Sequence, residues 1–408
     1  MNTKIRLTLM NFLQYAVWGA WLISLGAYLG NTLKFDGLQI GSFFATMGIA
    51  SLFMPAVMGI IADRWIPAQR LLGLCHLFAA GFITLAATRT DYNSLYTLVL
   101  LSVMFYMPTI ALSNSVAYNA LEKAGLDTVT HFPPIRVWGT VGFICAMWVV
   151  DLGKMGLSAT QLYFSATLGL ILGLYSFTLP NCPINRSGGG KSIVDLLGLR
   201  AFALFKQRKM AIFFIFSMLL GMSLQITNAF ADGYIKSFGD TGIHGAKYLG
   251  TFGVEHSTIL ISLSQISETL CILLIPFFLK QFGIKRVMLI AMFAWVLRFA
   301  LLGAGNPGPG VWMFILSMIV YGVAFDFFNI SGSLFVEKET SAAIRSSAQG
   351  VFMIMTNGLG ALIGSYLAGW VVNHYGWPLS WYLFAGFSLV VAIVFAVIFK
   401  YKHDPNRI

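Results

Sequence analysis

The sequence predicts an all-α membrane protein of twelve transmembrane helices in two six-helix pseudo-repeats, with N- and C-termini cytoplasmic. Three observations predict it. Of 408 residues, 58% are apolar and only 10% charged, whereas a soluble domain carries about 25% charged residues. Apolar runs of about 20 residues, the length that crosses the hydrocarbon core, recur along the whole chain. Basic residues crowd the turns on one side of those runs. Strands of a membrane barrel would be about ten residues long with strict alternation, and these runs are longer and do not alternate.

The spans fall at 7–30, 38–61, 70–88, 95–119, 129–151, 159–179, 210–235, 255–279, 285–304, 311–335, 346–371 and 378–400. Lys4 and Arg6 before the first run resemble a signal peptide, but the run is too long and has no small-residue cleavage site, so a retained first helix is expected. A tight basic turn, "GIIADRWIPAQRLL" (59–72), separates the second and third spans. Pro133 and Pro134 bend or begin the fifth. The longest polar interruption, "PNCPINRSGGGKSIVDLLGLRAFALFKQRK" (180–209), divides an N-terminal half, 1–179, from a C-terminal half, 210–408. Its "GGGKS" is no phosphate-binding loop: the earlier glycine would stand at Asn185, and no strand precedes it. Ile193–Phe205 reads as a short amphipathic helix on the inner membrane surface. The second half repeats the basic turn as "PFFLKQFGIKRVML" (276–289). Gly26 with Gly30, and Gly360 with Gly364, have the spacing of close helix contacts.

With the N-terminus inside, Lys4, Arg6, Arg64, Arg70, Lys123, Arg186, Lys191, Arg200, Lys206, Arg208, Lys209, Lys280, Lys285, Arg286, Lys338, Arg345, Lys400, Lys402 and Arg407 face the cytoplasm. Only Lys34, Arg89, Lys154, Lys236 and Lys247 face outward. This is the positive-inside bias. The net charge of +11 is therefore a topology signal, and no nucleic-acid partner is expected. Cys75, Cys145, Cys182 and Cys271 form no CxxC pair and support neither a disulfide framework nor a zinc site.

Ionisable residues at membrane depth are functional candidates. Arg136, Glu268, Arg298 and Asp326 are weighed here. Glu268 falls at the centre of the eighth span. Asp326 and Arg136 lie slightly cytoplasmic of centre in the tenth and fifth, at similar depth in opposite halves, and are expected to pair. Arg298, in the outer part of the ninth span, is expected to snorkel at the surface. Around these residues run polar and aromatic stripes at helical spacing: Arg136, Thr140 and Phe143; Gln225 and Asn228; Gln265 and Glu268; Tyr321, Phe325 and Asn329. Any one stripe also fits simple packing, since intramembrane amides often pair with neighbouring helices. Amides offer donors and acceptors, the aromatics offer flat faces, and no Lys/Arg cluster stands ready for a phosphate. A neutral, polar, partly flat ligand fits, and a nucleoside and a sugar both meet that description.

Gly59, Asp63 and Arg64 match the major facilitator signature, while Ile66 and Pro67 depart from it. Longer stretches, "TLKFDG", "FPPIRVWGTVGF", "AFALFKQRKMAIFFIFSMLLGMSLQITN", "SQISETL" and "LSMIVYGVAFDFFNISGSLFVEKE", resemble bacterial nucleoside permeases of the nucleoside:proton symporter family, within the major facilitator superfamily. The resemblance covers essentially the whole chain. It implies a multi-pass protein of the bacterial inner membrane, acting as a monomer without a cofactor, that imports nucleosides on the proton gradient. It implies ligand contacts from Thr140, Phe143, Gln225, Asn228, Gln265, Glu268, Tyr321 and Phe325, and transport roles for Arg136 and Asp326. His131 departs from the acidic residue expected before "FPPIR". Such transporters work by alternating access around a midplane site. Glu268 is the first candidate for the proton-coupled group and Asp326 the second, because low dielectric disfavours a bare carboxylate. A sugar:proton symporter of the same fold and a non-transporting nucleoside sensor are the alternatives. An enzyme would need a catalytic set, and the chain has no HExxH or GxSxG.

Overall fold

A computed structural model describes residues 2–184, 199–244, 246–341 and 344–401. The chain is all-helical, 84% helix, with no strand among the described residues. Nine helices among them are long and apolar enough to cross a membrane. The basic residues Arg186, Lys191, Lys402 and Arg407 and the "GGGKS" stretch lie outside the described residues. So does the first part, 193–198, of the expected amphipathic helix; its described part lies in the 3-10 helix Leu199–Lys206.

The chain divides into two compact units, Met1–Phe35 with Thr46–Leu196, and Asp36–Ala45 with Leu197–Ile408. In the first, Thr3–Gly19 lies along Thr128–Leu152, and Ala68–Ala87 packs between Tyr92–Lys123 and Thr160–Ser176. Glycines permit the closest crossing. A side chain at Gly142 would strike the backbone of Phe12, and one at Gly19 the backbone of Phe143. The first predicted span is not one helix: it stops at Gly19, turns through 20–24, and resumes over Leu25–Ala27 and a π-helical Tyr28–Thr32. Thr128–Leu152 starts before its prolines, with the Asp127 carboxylate accepting the Thr130 N–H at 2.9 Å. Pro133 and Pro134 therefore lie inside the helix rather than opening it. The Gly37–Arg64 helix ends at an exposed Trp65, and Pro67 caps Ala68–Ala87, where its missing N–H has no intrahelical duty.

In the second unit, Ser257–Ala304 packs along Val311–Glu339, and Arg208–Ser237 crosses the Ile354–Gly360 and Ala361–Tyr375 segments. The expected contact at Gly360 and Gly364 is present: side chains there would strike Met218, Gly221 and Met222 of Arg208–Ser237. Asp36–Ala45 joins this unit through Gly37 and Gly41, set against Gly369 and Ser365, with the Gly37 N–H donating to Asn373 Oδ1. At 48 residues Ser257–Ala304 would be about 72 Å long, more than twice the hydrocarbon core. Gly283 divides it, with φ 76° and ψ 167°, a region open essentially to glycine alone. The two limbs coincide with the spans predicted at 255–279 and 285–304. The chain closes with Leu379–Ile398.

Candidate functional site

In the first unit, Arg136, Thr140 and Phe143 follow one another on Thr128–Leu152 as their spacing requires. Arg136 and Thr140 are half-buried and Phe143 is buried. The Arg136 guanidinium lies over the Tyr15 ring, 3.9 Å from its centroid. Gly139 makes room for this pair, because a side chain there would meet both the Tyr15 ring and Arg136 Nη1. Phe143 meets Trp18 edge-on at 6.3 Å, and Trp18 meets Tyr106 at 5.8 Å. Behind them Tyr106 Oη donates to the Gln14 carbonyl at 2.7 Å, and His76 Nε2 lies 2.8 Å from Gln14 Oε1.

Gln14, Tyr15, Trp18, His76 and Tyr106 are not among the residues expected from the sequence. A signal was present. Asn11, Gln14, Tyr15 and Trp18 recur at three, four and seven residues, one helix face. His76 is an ionisable group in the middle of a predicted span, the criterion that selected the four others.

In the second unit, three helices bring together the remaining candidates. Gln225 is buried and Asn228 half-buried on Arg208–Ser237; Gln265 and Glu268 are half-buried on Ser257–Ala304. Gln225 Oε1 has no hydrogen-bond partner. On Val311–Glu339, Tyr321 stacks on Phe325, with centroids 5.8 Å apart and planes 10° apart. Asp326, on the adjacent flank, is 3% exposed, and its Oδ2 accepts no hydrogen bond. Glu268 is the electrostatic neighbour of both Asp326 and the Tyr321 hydroxyl. The acids expected to serve as first and second proton candidates thus share one environment. Asp326 and Arg136 belong to different units, and each is described in its own surroundings.

Arg298 corrects an expectation. It does not snorkel: it is 1% exposed and belongs to this cluster. Its Nη1 donates to the Ser317 carbonyl at 2.6 Å, the Ser317 hydroxyl returns a bond to the Arg298 carbonyl at 3.1 Å, and its guanidinium lies 4.7 Å from the Tyr321 centroid. Its partners are a carbonyl, an aromatic face, the Ser264 hydroxyl at 3.4 Å and the Met318 sulfur at 3.7 Å, which sequence spacing does not announce.

A second buried charge was also missed. Asp232 is 1% exposed; it accepts from Lys236 Nζ at 2.7 Å, Ser257 Oγ at 2.6 Å and Thr258 Oγ1 at 3.1 Å. It stands one turn beyond Asn228 and ties the end of Arg208–Ser237 to the start of Ser257–Ala304. With its charge paired and its oxygens occupied, Asp232 holds structure, whereas Asp326 Oδ2, without a hydrogen bond among the described residues, is open to a donor.

The chain is similar to known proteins over its whole length. The chain is 50% identical to nucleoside permease NupG of Escherichia coli strain K12 over 99% of its own length and 97% of that protein. It is 49% identical to the xanthosine permease of the same strain, over 100% and 98% of the two. A crystal structure of a point variant of nucleoside transporter NupG superposes with a TM-score of 0.94 at 50% identity, covering 98% of this chain and 100% of that one. Residues 1–404 match the family described as Nucleoside H+ symporter, and at this coverage the chain belongs to that family.

Proposed function

We propose that the protein imports nucleosides with protons across the bacterial inner membrane by alternating access, through twelve transmembrane helices with both termini cytoplasmic. Family membership supports the class of transport. The helices support the count. Of the nine candidate spans one has two limbs, and Thr3–Gly19 and Thr160–Ser176, at 17 residues each, are about 26 Å long, close to the hydrocarbon thickness. Thr140, Phe143, Gln225, Asn228, Gln265, Glu268, Tyr321 and Phe325 contact the nucleoside in this reading. Amides meet hydroxyls and base edges, and an aromatic stacks on the base.

The Glu268–Asp326 pair carries the coupling. Two neighbouring negative charges, one buried and one half-buried, repel each other, and one proton held by the pair leaves a single charge. Loading from the acidic exterior lets Glu268 donate to the nucleoside, and release to the cytoplasm follows loss of that proton. The second role we assign is an ion pair of Arg136 with Asp326 during part of the cycle. The test is uptake of labelled uridine into proteoliposomes under an imposed pH gradient, challenged with a panel of nucleosides and sugars. Wild type concentrates uridine, and nucleosides compete. Glu268→Gln loses accumulation but retains counterflow exchange. Accumulation by that variant would move the proton elsewhere; competition by sugars alone would favour a sugar symporter; binding without uptake would favour a sensor.

A further inference from the structure

His76 lies in Ala68–Ala87, is 0% exposed, and has no part in the coupling described above. Counting protons fixes its form. The Thr109 hydroxyl has one proton and donates it to the Tyr106 carbonyl at 2.5 Å. The Gln14 group 2.7 Å from Thr109 Oγ1 must therefore be a donor, its NH2. The Gln14 oxygen then faces His76, and Nε2 must carry a hydrogen to make the 2.8 Å bond. His76 Nδ1 is buried and accepts no hydrogen bond. The hydroxyls beside the ring, Ser102 and Ser165, donate instead to the carbonyls of Ala79 and Val17.

A second proton on Nδ1 would make a buried donor without an acceptor on a buried cation. Among the described residues, the titratable and charged side chains linked to this network are Tyr106, whose ring stands edge-on 5.9 Å from His76, and beyond it Tyr15 and Arg136. None supplies a compensating negative charge, and Arg136 opposes one more cation. Neutral His76 thus holds Gln14. Gln14 holds Thr109 by its amide and Tyr106 by its carbonyl. Next to Gln14 in the chain is Tyr15, the platform for Arg136; one turn on is Trp18, set between Tyr106 and Phe143.

We infer that His76, as the neutral Nε2–H tautomer, is a positioning residue for Arg136 and Phe143: it acts through Gln14 and Tyr106 on nucleoside affinity and carries no transported proton. The inference rests on the proposed roles of Phe143 in nucleoside binding and of Arg136 in transport.

The test compares wild type, His76→Gln and His76→Leu in uridine uptake, counterflow and equilibrium binding, together with the nitrogen-15 spectrum of histidine-labelled protein. Glutamine places an N–H near the position of Nε2; leucine fills the space without a donor. The KM and binding constant rise about tenfold in His76→Leu, the effect of one unsatisfied buried acceptor, and stay within about twofold of wild type in His76→Gln. His76→Gln also retains accumulation and the wild-type pH profile. The signal that disappears in His76→Gln is that of a neutral Nε2–H imidazole. An imidazolium or Nδ1–H signal overturns the inference. So does wild-type affinity in His76→Leu, or a His76→Gln protein that exchanges uridine without concentrating it. Should wild type itself neither bind nor accumulate uridine, the proposed function fails, and the tautomer signal still decides the state of His76.

Discussion

Arg298 shows how a cation is accommodated at membrane depth without an acid beside it. Its planar guanidinium serves the Ser317 carbonyl with an edge and Tyr321 with a face. A lysine ammonium has no such plane. Arg298→Lys should therefore keep the charge yet lose the set of Tyr321, raising the KM for nucleoside severalfold and lowering the thermal midpoint in detergent; unchanged values of both would return Arg298 to a bystander role. At the membrane edge, Asp91 caps Tyr92–Lys123, and the Ser94 hydroxyl and N–H hold its carboxyl below the usual range. Its folded pKa thus lies below its unfolded one. The cap's contribution is present above the unfolded value, about 4, and fades as pH falls through the folded one. Asp91→Asn keeps an acceptor without a proton to gain, so the difference in thermal midpoint between it and wild type should shrink in acid. Glu268, Asp326, Tyr321 and Arg136 were legible as residues because polar groups are rare in apolar spans. Arg298 and His76 were misjudged or passed over because their partners are carbonyls, amides and rings far away in sequence.

Among elements, the clearest joint is the Asp232 clamp. It connects the helix of Gln225 and Asn228 to the helix of Gln265 and Glu268. Removing only the carboxylate strands a largely buried ammonium, since the Lys236 side chain is 11% exposed. Asp232→Ala should cost about 3–5 kcal/mol, read as a fall in unfolding midpoint, and the Asp232→Ala/Lys236→Met double variant should recover much of it. A double variant no better than the single would show that the hydroxyl contacts of Ser257 and Thr258 dominate. The helices themselves were largely legible, because length and apolarity are local properties. Their interruptions were less so. The turn at 20–24 and the π-helical Ile354–Gly360 carry only Ser24, Thr356 and Asn357 as polar side chains, and hydropathy averaged over a span does not mark them. The break at Gly283 was legible only because Lys280, Lys285 and Arg286 flank it.

For the molecule as a whole, the positive-inside pattern is what supports the proposal that both ends of the chain lie in the cytoplasm. Reporter fusions after Lys123 and after Lys400 should be active only for a cytoplasmic reporter, and a fusion after Lys154 only for a periplasmic one; the opposite pattern would invert the topology. The place of Asp36–Ala45 in the second unit follows no local motif. It goes with glycine contacts, Gly37 on Gly369 and Gly41 on Ser365, which pair positions distant in sequence. Gly283 has one more implication. Helix leads directly into helix there, whereas the Gly37–Arg64 helix gives way to an exposed Trp65 before the next helix begins. A protease added to inside-out vesicles should thus cut near Trp65 and spare the stretch around Gly283, leaving Ser257–Ala304 as one resistant fragment.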